Sequence, residues 1–233
     1  MTTVMISLAK FISIFLSGST DQWSRIQSIF AAVAGYVLSD FLSGMVHWAI
    51  DNYGDPNHPV LGPHIEGILR HHRQPWVLAH RHFATNIYVQ GAAATILFTP
   101  VNVFSDDLNL LAFTSVFGCC GFLSQQFHAW AHRPRQKLPP LVAALQDWGI
   151  ILAPSHHAGH HQSPFDKKYC IVNGICDWIL DKSRFFSGIE VVLFHMLGVR
   201  PVSWGEPNST ICVHDGEPLV SIFMDTKTIR QSS

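Results

Sequence analysis

Apolar positions along this chain fall in a few long blocks, not in short alternating stripes. Residues 28–50 (SIFAAVAGYVLSDFLSGMVHWAI), 86–104 (NIYVQGAAATILFTPVNVF) and 108–124 (LNLLAFTSVFGCCGFLS) stand out. Each approaches the ~20 apolar residues that a helix needs to cross a hydrocarbon core. The first carries one acid, Asp40, and only Ser105-Asp106-Asp107 separates the other two, which predicts a tight helical hairpin. Shorter apolar runs read differently. Residues 4–16 are interrupted by Lys10 and are too short to span. Residues 141–153 are opened by Pro139-Pro140 and closed by Pro154, which suits a re-entrant or interfacial helix, because Pro is tolerated in a first turn and stops a helix elsewhere. Residues 185–199 read as another interfacial helix, and the tail after Pro207 has no helical period.

The expected fold is therefore an all-α membrane protein, with about three transmembrane helices plus interfacial or re-entrant helices on one membrane face. Its main domain is placed at 28–209. Residues 1–27 form an N-terminal segment, rich in Ser and Thr and without an acid over 1–20, a composition compatible with a short transit peptide. Residues 210–233 form a tail. Three crossings put 51–85 and everything after 125 on one side. All Lys and Arg except Lys10 and Arg25 lie there, so that side is the cytosol or a plastid stroma.

Composition agrees. Of 233 residues, 48% are apolar and 13% charged, about half the ~25% of a soluble domain. The aromatic and aliphatic content excludes disorder. Fifteen Lys+Arg against 16 Asp+Glu leave no electrostatic footprint for nucleic acid, so no nucleic-acid partner is expected. Five Cys without a Cys-x-x-Cys pair exclude a disulfide scaffold and a structural zinc finger, and read as small apolar packing residues. Histidine is the outlier: 15 residues, as many as Lys and Arg together, all on the Lys/Arg-rich side or at its membrane boundary.

The histidines cluster. His128 and His132 are spaced i, i+4 at the end of the third apolar block, which puts two imidazoles on one helical face. That suits one metal or a metal pair; the alternative is two hydrogen-bonded histidines at the membrane boundary. His157, His160 and His161 repeat the pattern, and on a helix they would turn three ring nitrogens toward one centre. Packing explains such a cluster poorly, since buried imidazoles need polar partners, and the competing reading is a surface cluster. His71 and His72, adjacent on a helix, point about 100° apart, which suits two metals, or one ligand and a supporting group. His47 precedes Asp51 by one turn, where a carboxylate can bind a metal or orient the ring. Eight imidazoles and a carboxylate exceed the four ligands of one zinc and suit two metals. Nitrogen donors without thiolate fit iron, copper, nickel or zinc. His58, His195 and His214 read as ordinary residues.

The segments DFLSGMVHWAIDNYGD (40–55), LRHHRQPW (69–76), QQFHAWAH (125–132), LPPLVAALQDWG (138–149), HAGHH (157–161) and GVRPVSWGEPNS (198–209) together resemble the lipid desaturase family that includes the plasmanylethanolamine desaturases (Kua proteins). They are most similar to its plant plastidial branch, which acts on phosphatidylglycerol and places a trans double bond at carbon 3 of a palmitoyl chain. The resemblance implies a membrane di-iron acyl-lipid desaturase that uses O2 and an external electron donor, ferredoxin in a plastid or cytochrome b5 at the endoplasmic reticulum. It implies a chloroplast membrane, with the endoplasmic reticulum as the alternative. Carried over by position, the two irons would be held by His47, Asp51, His71, His72, His128, His132, His157, His160 and His161. His64, His80, His82 and His156 are additional histidines outside that pattern. The acyl chain would enter from the bilayer into a slot between spans, with Gly35, Gly44, Gly91, Gly118 and Gly121 as candidates for close approach. Competing readings are a hydroxylase of the same metal class, a membrane zinc hydrolase and a non-enzymatic metal-binding protein.

Overall fold

The structure, a computed structural model, describes residues 2–205 together with 213–214 and 217–218. Three helices have the length and apolar composition of membrane spans: α2 (Gln22–Tyr53), α5 (Phe83–Phe104) and α6 (Leu108–Ala131). They extend beyond the apolar blocks because their ends are capped by polar groups. The Asp21 carboxylate accepts from the Ser24 backbone N–H and starts α2, and Asp107 accepts from Leu110 N and starts α6. The link between α5 and α6 is the three-residue turn foreseen at 105–107.

The bundle inverts the usual distribution of polarity. The buried face of α2 is small and polar, with Gly35, Ser39, Asp40, Ser43, Gly44 and His47. Its outer face shows Ile29, Phe30 and Val33, and α5 shows Ile96, Leu97 and Phe104, the last 86% exposed. Small residues inside and large apolar ones outside are what a hydrocarbon solvent selects. At Gly35 a Cβ would stand 2.6 Å from the Phe113 carbonyl of α6, so this glycine lets the two helices approach closely.

α1 (Thr2–Phe15) is a short helix laid against the α5–α6 hairpin, at the end away from the histidines. Val4 packs with Ala94 and Phe98. The Ser7 hydroxyl donates to Asn102 Oδ1 at 2.7 Å. Lys10 donates to the carbonyls of Asn102 and Ser105 and pairs with Asp106, placing a cation at the C-terminal end of α5.

The remaining elements gather at the other end, where α2 and α6 finish and α5 begins. α3 (Gly62–Arg73) and α4 (Pro75–His80) bridge α2 to α5. After α6 come α7 (Pro140–Asp147), α8 (Pro154–His157), α9 (Asp177–Lys182) and α10 (Phe185–Leu197). α7 is shorter than the run 141–153 suggested, because Gly149 takes a left-handed conformation (φ 67°) just after the helix. α10 ends at Gly198, also left-handed (φ 70°), whose N–H returns to Phe194 O. One expectation is corrected: 157–161 is not helical throughout. α8 stops at His157, and Gly159 and His160 lie in the turn that follows. Most of the tail after Pro207 lies outside the described residues; Val213–His214 pairs antiparallel with Glu217–Pro218.

Two cores lock this end. Phe127, Leu138, Val142, Leu152 and Val172 fasten α7 and the segment at 171–172 to α6. Trp48, Tyr169, Cys170, Leu180 and Phe186 fasten α9 and α10 to α2. Buried Glu190 of α10 accepts from the indole N–H groups of Trp48 and Trp204, both at 2.9 Å, and from Ser203.

Candidate metal centre

The nine side chains singled out in the sequence converge in two adjacent groups. In the first, His71, His128, His132, His157 and His161 each offer a ring nitrogen within 4.8 Å of all the others. His157 Nε2 is the hub, 2.7 Å from His128 Nε2, 3.0 Å from His132 Nε2 and 3.1 Å from His161 Nε2. In the second, His47, His72 and His160 point Nε2 at one oxygen of Asp51, at 3.3, 3.1 and 3.3 Å. The groups share a border: the His71 and His72 rings are 4.4 Å apart and those of His47 and His128 are 5.0 Å apart.

Local structure explains each placement. The last turns of α2 put His47 and Asp51 on one face, and the end of α6 does the same for His128 and the capping residue His132. The last turn of α3 separates neighbouring His71 and His72, and the turn after α8 separates His160 from His161. The second ring nitrogen is occupied in several cases. His47 Nδ1 donates to the Tyr169 carbonyl at 2.9 Å, His160 Nδ1 to the Lys167 carbonyl at 2.8 Å, and His71 Nδ1 to the Ile68 carbonyl. His128 Nδ1 faces Gln125 Oε1 at 3.4 Å. Spending Nδ1–H outward leaves Nε2 as a lone pair aimed inward, the arrangement that orients imidazole ligands on a metal.

Several of the inward atoms make no hydrogen bond. Nε2 of His47, His71, His72 and His160 and both oxygens of Asp51 are buried without a hydrogen bond. Buried polar atoms are seldom left so, and this many in one place could hold a cation. Electrostatics agrees. Burial and then neighbouring imidazoles push His132 down to about 4 and His161 to about 2, and hold His71 and His157 well below the usual 6.5. The rings are therefore neutral and ligand-competent near neutral pH.

The other histidines lie elsewhere. His156 Nε2 sits 2.8 Å from Asp177, His80 Nδ1 meets the Trp76 carbonyl, and His82 precedes α5 at the N-cap position without a side-chain capping bond. His58 Nδ1 accepts from the N–H groups of Val60 and Leu61. Sequence reasoning overlooked the supports. Asp40, seen only as an acid in a span, accepts from the backbone N–H groups of Asn173, Gly174 and Cys176 at 2.9, 2.9 and 3.0 Å. Asp177 accepts from Cys170 N at 3.0 Å. Together they clamp the segment that presents the Tyr169 carbonyl to His47. No short-range pattern announces such contacts, although a lone acid in an apolar span is itself a signal.

An apolar cavity of about 250 Å³ opens beside the centre, between α2, α3, α5 and α6. His47 forms part of its wall at one end, and Phe98, Phe117 and Gly118 line the other. Of the glycines considered for a slot, Gly118 and Gly121 line it. A Cβ on Gly121 would meet nothing within 4 Å.

Three apolar helices and a histidine-rich centre at their end define an integral membrane protein with two side-chain groups that could hold metal. Residues 36–204 match the lipid desaturase domain, and the chain belongs to the lipid desaturase family. Among its relatives, the "Fatty acid desaturase 4-like 1, chloroplastic" of Arabidopsis thaliana is 45% identical over 208 residues, covering 89% of this chain and 69% of the relative. "Fatty acid desaturase 4, chloroplastic" of the same plant is 44% identical, covering 89% and 63%. Plasmanylethanolamine desaturase 1 of Mus musculus is 30% identical over 186 residues, covering 74% and 67%. No solved structure matches the chain.

Proposed function

We propose that the protein is an O2-dependent acyl-lipid desaturase of a chloroplast membrane, and that its substrate is a glycerolipid, phosphatidylglycerol. The observation that carries this reading is the double position of His47, which belongs to the Asp51 group and also forms the wall of the apolar cavity. A hydrocarbon chain in that cavity would lie against the candidate metal ligands. The 44–45% identity to chloroplastic fatty acid desaturases supports the compartment and the desaturase activity.

The donor set suits two irons, one in each group. Imidazole-rich sites with a carboxylate and no thiolate favour a redox-active first-row metal over magnesium or calcium. Bound there with O2, iron would supply the oxidising power to take hydrogen from an unactivated methylene, which no side-chain acid or base provides. The chain's own residues do the rest. His71, His128, His132, His157 and His161 would hold one metal, and His47, Asp51, His72 and His160 the other. The carbonyls of Tyr169, Lys167 and Ile68 fix which nitrogen of each ring faces inward. The apolar wall excludes water from the reacting carbons. Ferredoxin is the electron donor that fits the compartment.

The experiment is expression in a host that makes phosphatidylglycerol, followed by lipid mass analysis and iron determination on the purified protein. A new lipid lighter by two hydrogens, with iron bound, is the expected result. Gain of one oxygen would assign a hydroxylase instead, and activity without O2 would end the desaturase reading.

A further inference from the structure

The cavity beside His47 is not uniformly apolar. Its hydroxyl-bearing residues are satisfied within their own helices: Ser39 donates to Tyr36 O, Ser43 to Asp40 O and Ser124 to Gly121 O. Apart from His47 Nε2, three buried polar atoms among the described lining residues have no partner: His64 Nδ1, Gln90 Oε1 and Gln125 Nε2. They come from three different helices, α3, α5 and α6. Gln125 turns its carbonyl toward His128 Nδ1, which leaves its N–H groups free on the cavity side. His64 is 5% exposed, and burial followed by the nearby Arg81 holds its imidazole below the usual range, so it is neutral.

An alkane cannot satisfy such atoms, and leaving them bare is costly. We infer that His64, Gln90 and Gln125 form a polar collar that receives the ester linkage of the lipid, its carbonyl accepting from Gln125 Nε2 and from His64. The inference rests on the acyl-lipid reading above and adds to it a binding site for one chemical group. The Gln90 amide can present either its oxygen or its nitrogen by turning about its terminal bond, so it serves whichever ester oxygen or glycerol hydroxyl is nearest.

The collar lies on the metal-site side: Gln125 stands one turn from His128, and the His64 ring lies 5.9 Å from that of Tyr88, two residues before Gln90. From Gln90 to Phe98 on α5, and from Gln125 to Phe117 on α6, eight residues lead to the far end, a depth of about 12 Å. The ester end and the hydrocarbon end of the chain are thus told apart by chemistry. An ester held at the collar sets the register of the chain against the metal-binding side chains. His64, which stands outside the nine metal-site residues, acquires a role as a positioning and specificity residue.

The test uses the full chain in a host that makes phosphatidylglycerol, with His64→Leu, Gln90→Leu and the donor-retaining His64→Asn. Readouts are double-bond position, apparent KM for the lipid and iron per protein. Wild type should give a single positional isomer. His64→Leu and Gln90→Leu should keep iron, raise KM about five- to tenfold, and yield mixed positional isomers as the chain slides. His64→Asn should recover the single isomer. An unchanged single isomer and KM in both Leu variants overturns the collar. Loss of iron in His64→Leu also overturns it, by assigning His64 to the metal site. No desaturated lipid from wild type would instead overturn the proposed function itself, and the collar with it.

Discussion

His71 and His72 are adjacent in sequence yet serve different groups: His71 stands with His128 and His157, whereas His72 Nε2 lies 3.1 Å from Asp51. One helical turn therefore feeds both halves of the centre. His71→Ala and His72→Ala should each lower bound iron to roughly half of wild type, and each should abolish product because both halves are needed. The double variant should hold almost none. Iron analysis of the purified proteins checks this; equal iron in wild type and both single variants would remove the pair from the metal site. His195→Ala, on the exposed face of α10, is the control and should change neither readout.

His128→Ala and His161→Ala should eliminate desaturated lipid while protein is still made, since losing an imidazole from such a site typically weakens metal by 10-fold or more. His58→Ala makes the contrast. It loses only the acceptor for two exposed backbone N–H groups, costs about 1 kcal/mol locally, and should leave the product intact. Lipid analysis of the three variants side by side is the measurement.

Gly121 faces open space in the cavity wall. Gly121→Phe should therefore fill the slot without straining the bundle. Product from the usual chain should fall about 4- to 15-fold, the cost of excluding one or two buried methylenes, with iron unchanged. Phe98→Ala, at the end lined by Phe117 and Gly118, should widen acceptance to longer chains. Profiles of product against acyl length decide. Full activity of Gly121→Phe on the same chains would mean that the substrate lies elsewhere.

The spans were legible because hydrocarbon imposes a composition that few other environments do, and the three long helices fall where the apolar blocks are. The membership of the two groups was partly legible: i, i+4 spacing carries His47 with Asp51 and His128 with His132, and the 100° step of a helix separates His71 from His72. The 157–161 turn was misread as helix even though Gly159 stands inside it, a residue poor in helix propensity. What spacing cannot show is contact at long range. Asp40 reaches 133 to 136 residues along the chain to hold the 173–176 backbone, and the His47 ring is set by a carbonyl 122 residues away. Neither pairing has a periodic signature.

His64 supplies a pH dependence independent of the metal-binding rings. Its folded pKa is lowered from 6.5, first by burial and then by Arg81, while the unfolded chain titrates near 6.5. The unfolded state therefore binds more protons below that pH, so the contribution is intact above about 6.5 and is lost as the pH falls through the window beneath it. Metal-free protein in detergent should lose melting temperature below pH 6.5 more steeply than His64→Leu does. Parallel curves for the two proteins would mean that the His64 ring is not held neutral.

Among the described residues, Asp40 has three backbone donors and no cation as hydrogen-bond partners. Asp40→Ala would strand Asn173, Gly174 and Cys176 N–H groups in a largely buried region, at a cost of about 3 kcal/mol or more. The consequence should reach the metal. Release of 169–177 frees the Tyr169 carbonyl, the His47 ring loses its anchor, and affinity in the Asp51 group should fall by about 10- to 100-fold. Asp40→Asn keeps the shape but puts an N–H where an acceptor is needed, so it should fall between the two. Chelator competition reads the affinity, and thermal melting reads the stability. A variant that melts early but holds both metals as tightly as wild type would confine Asp40 to a structural role and break the link drawn here between the clamp and the His47 ring.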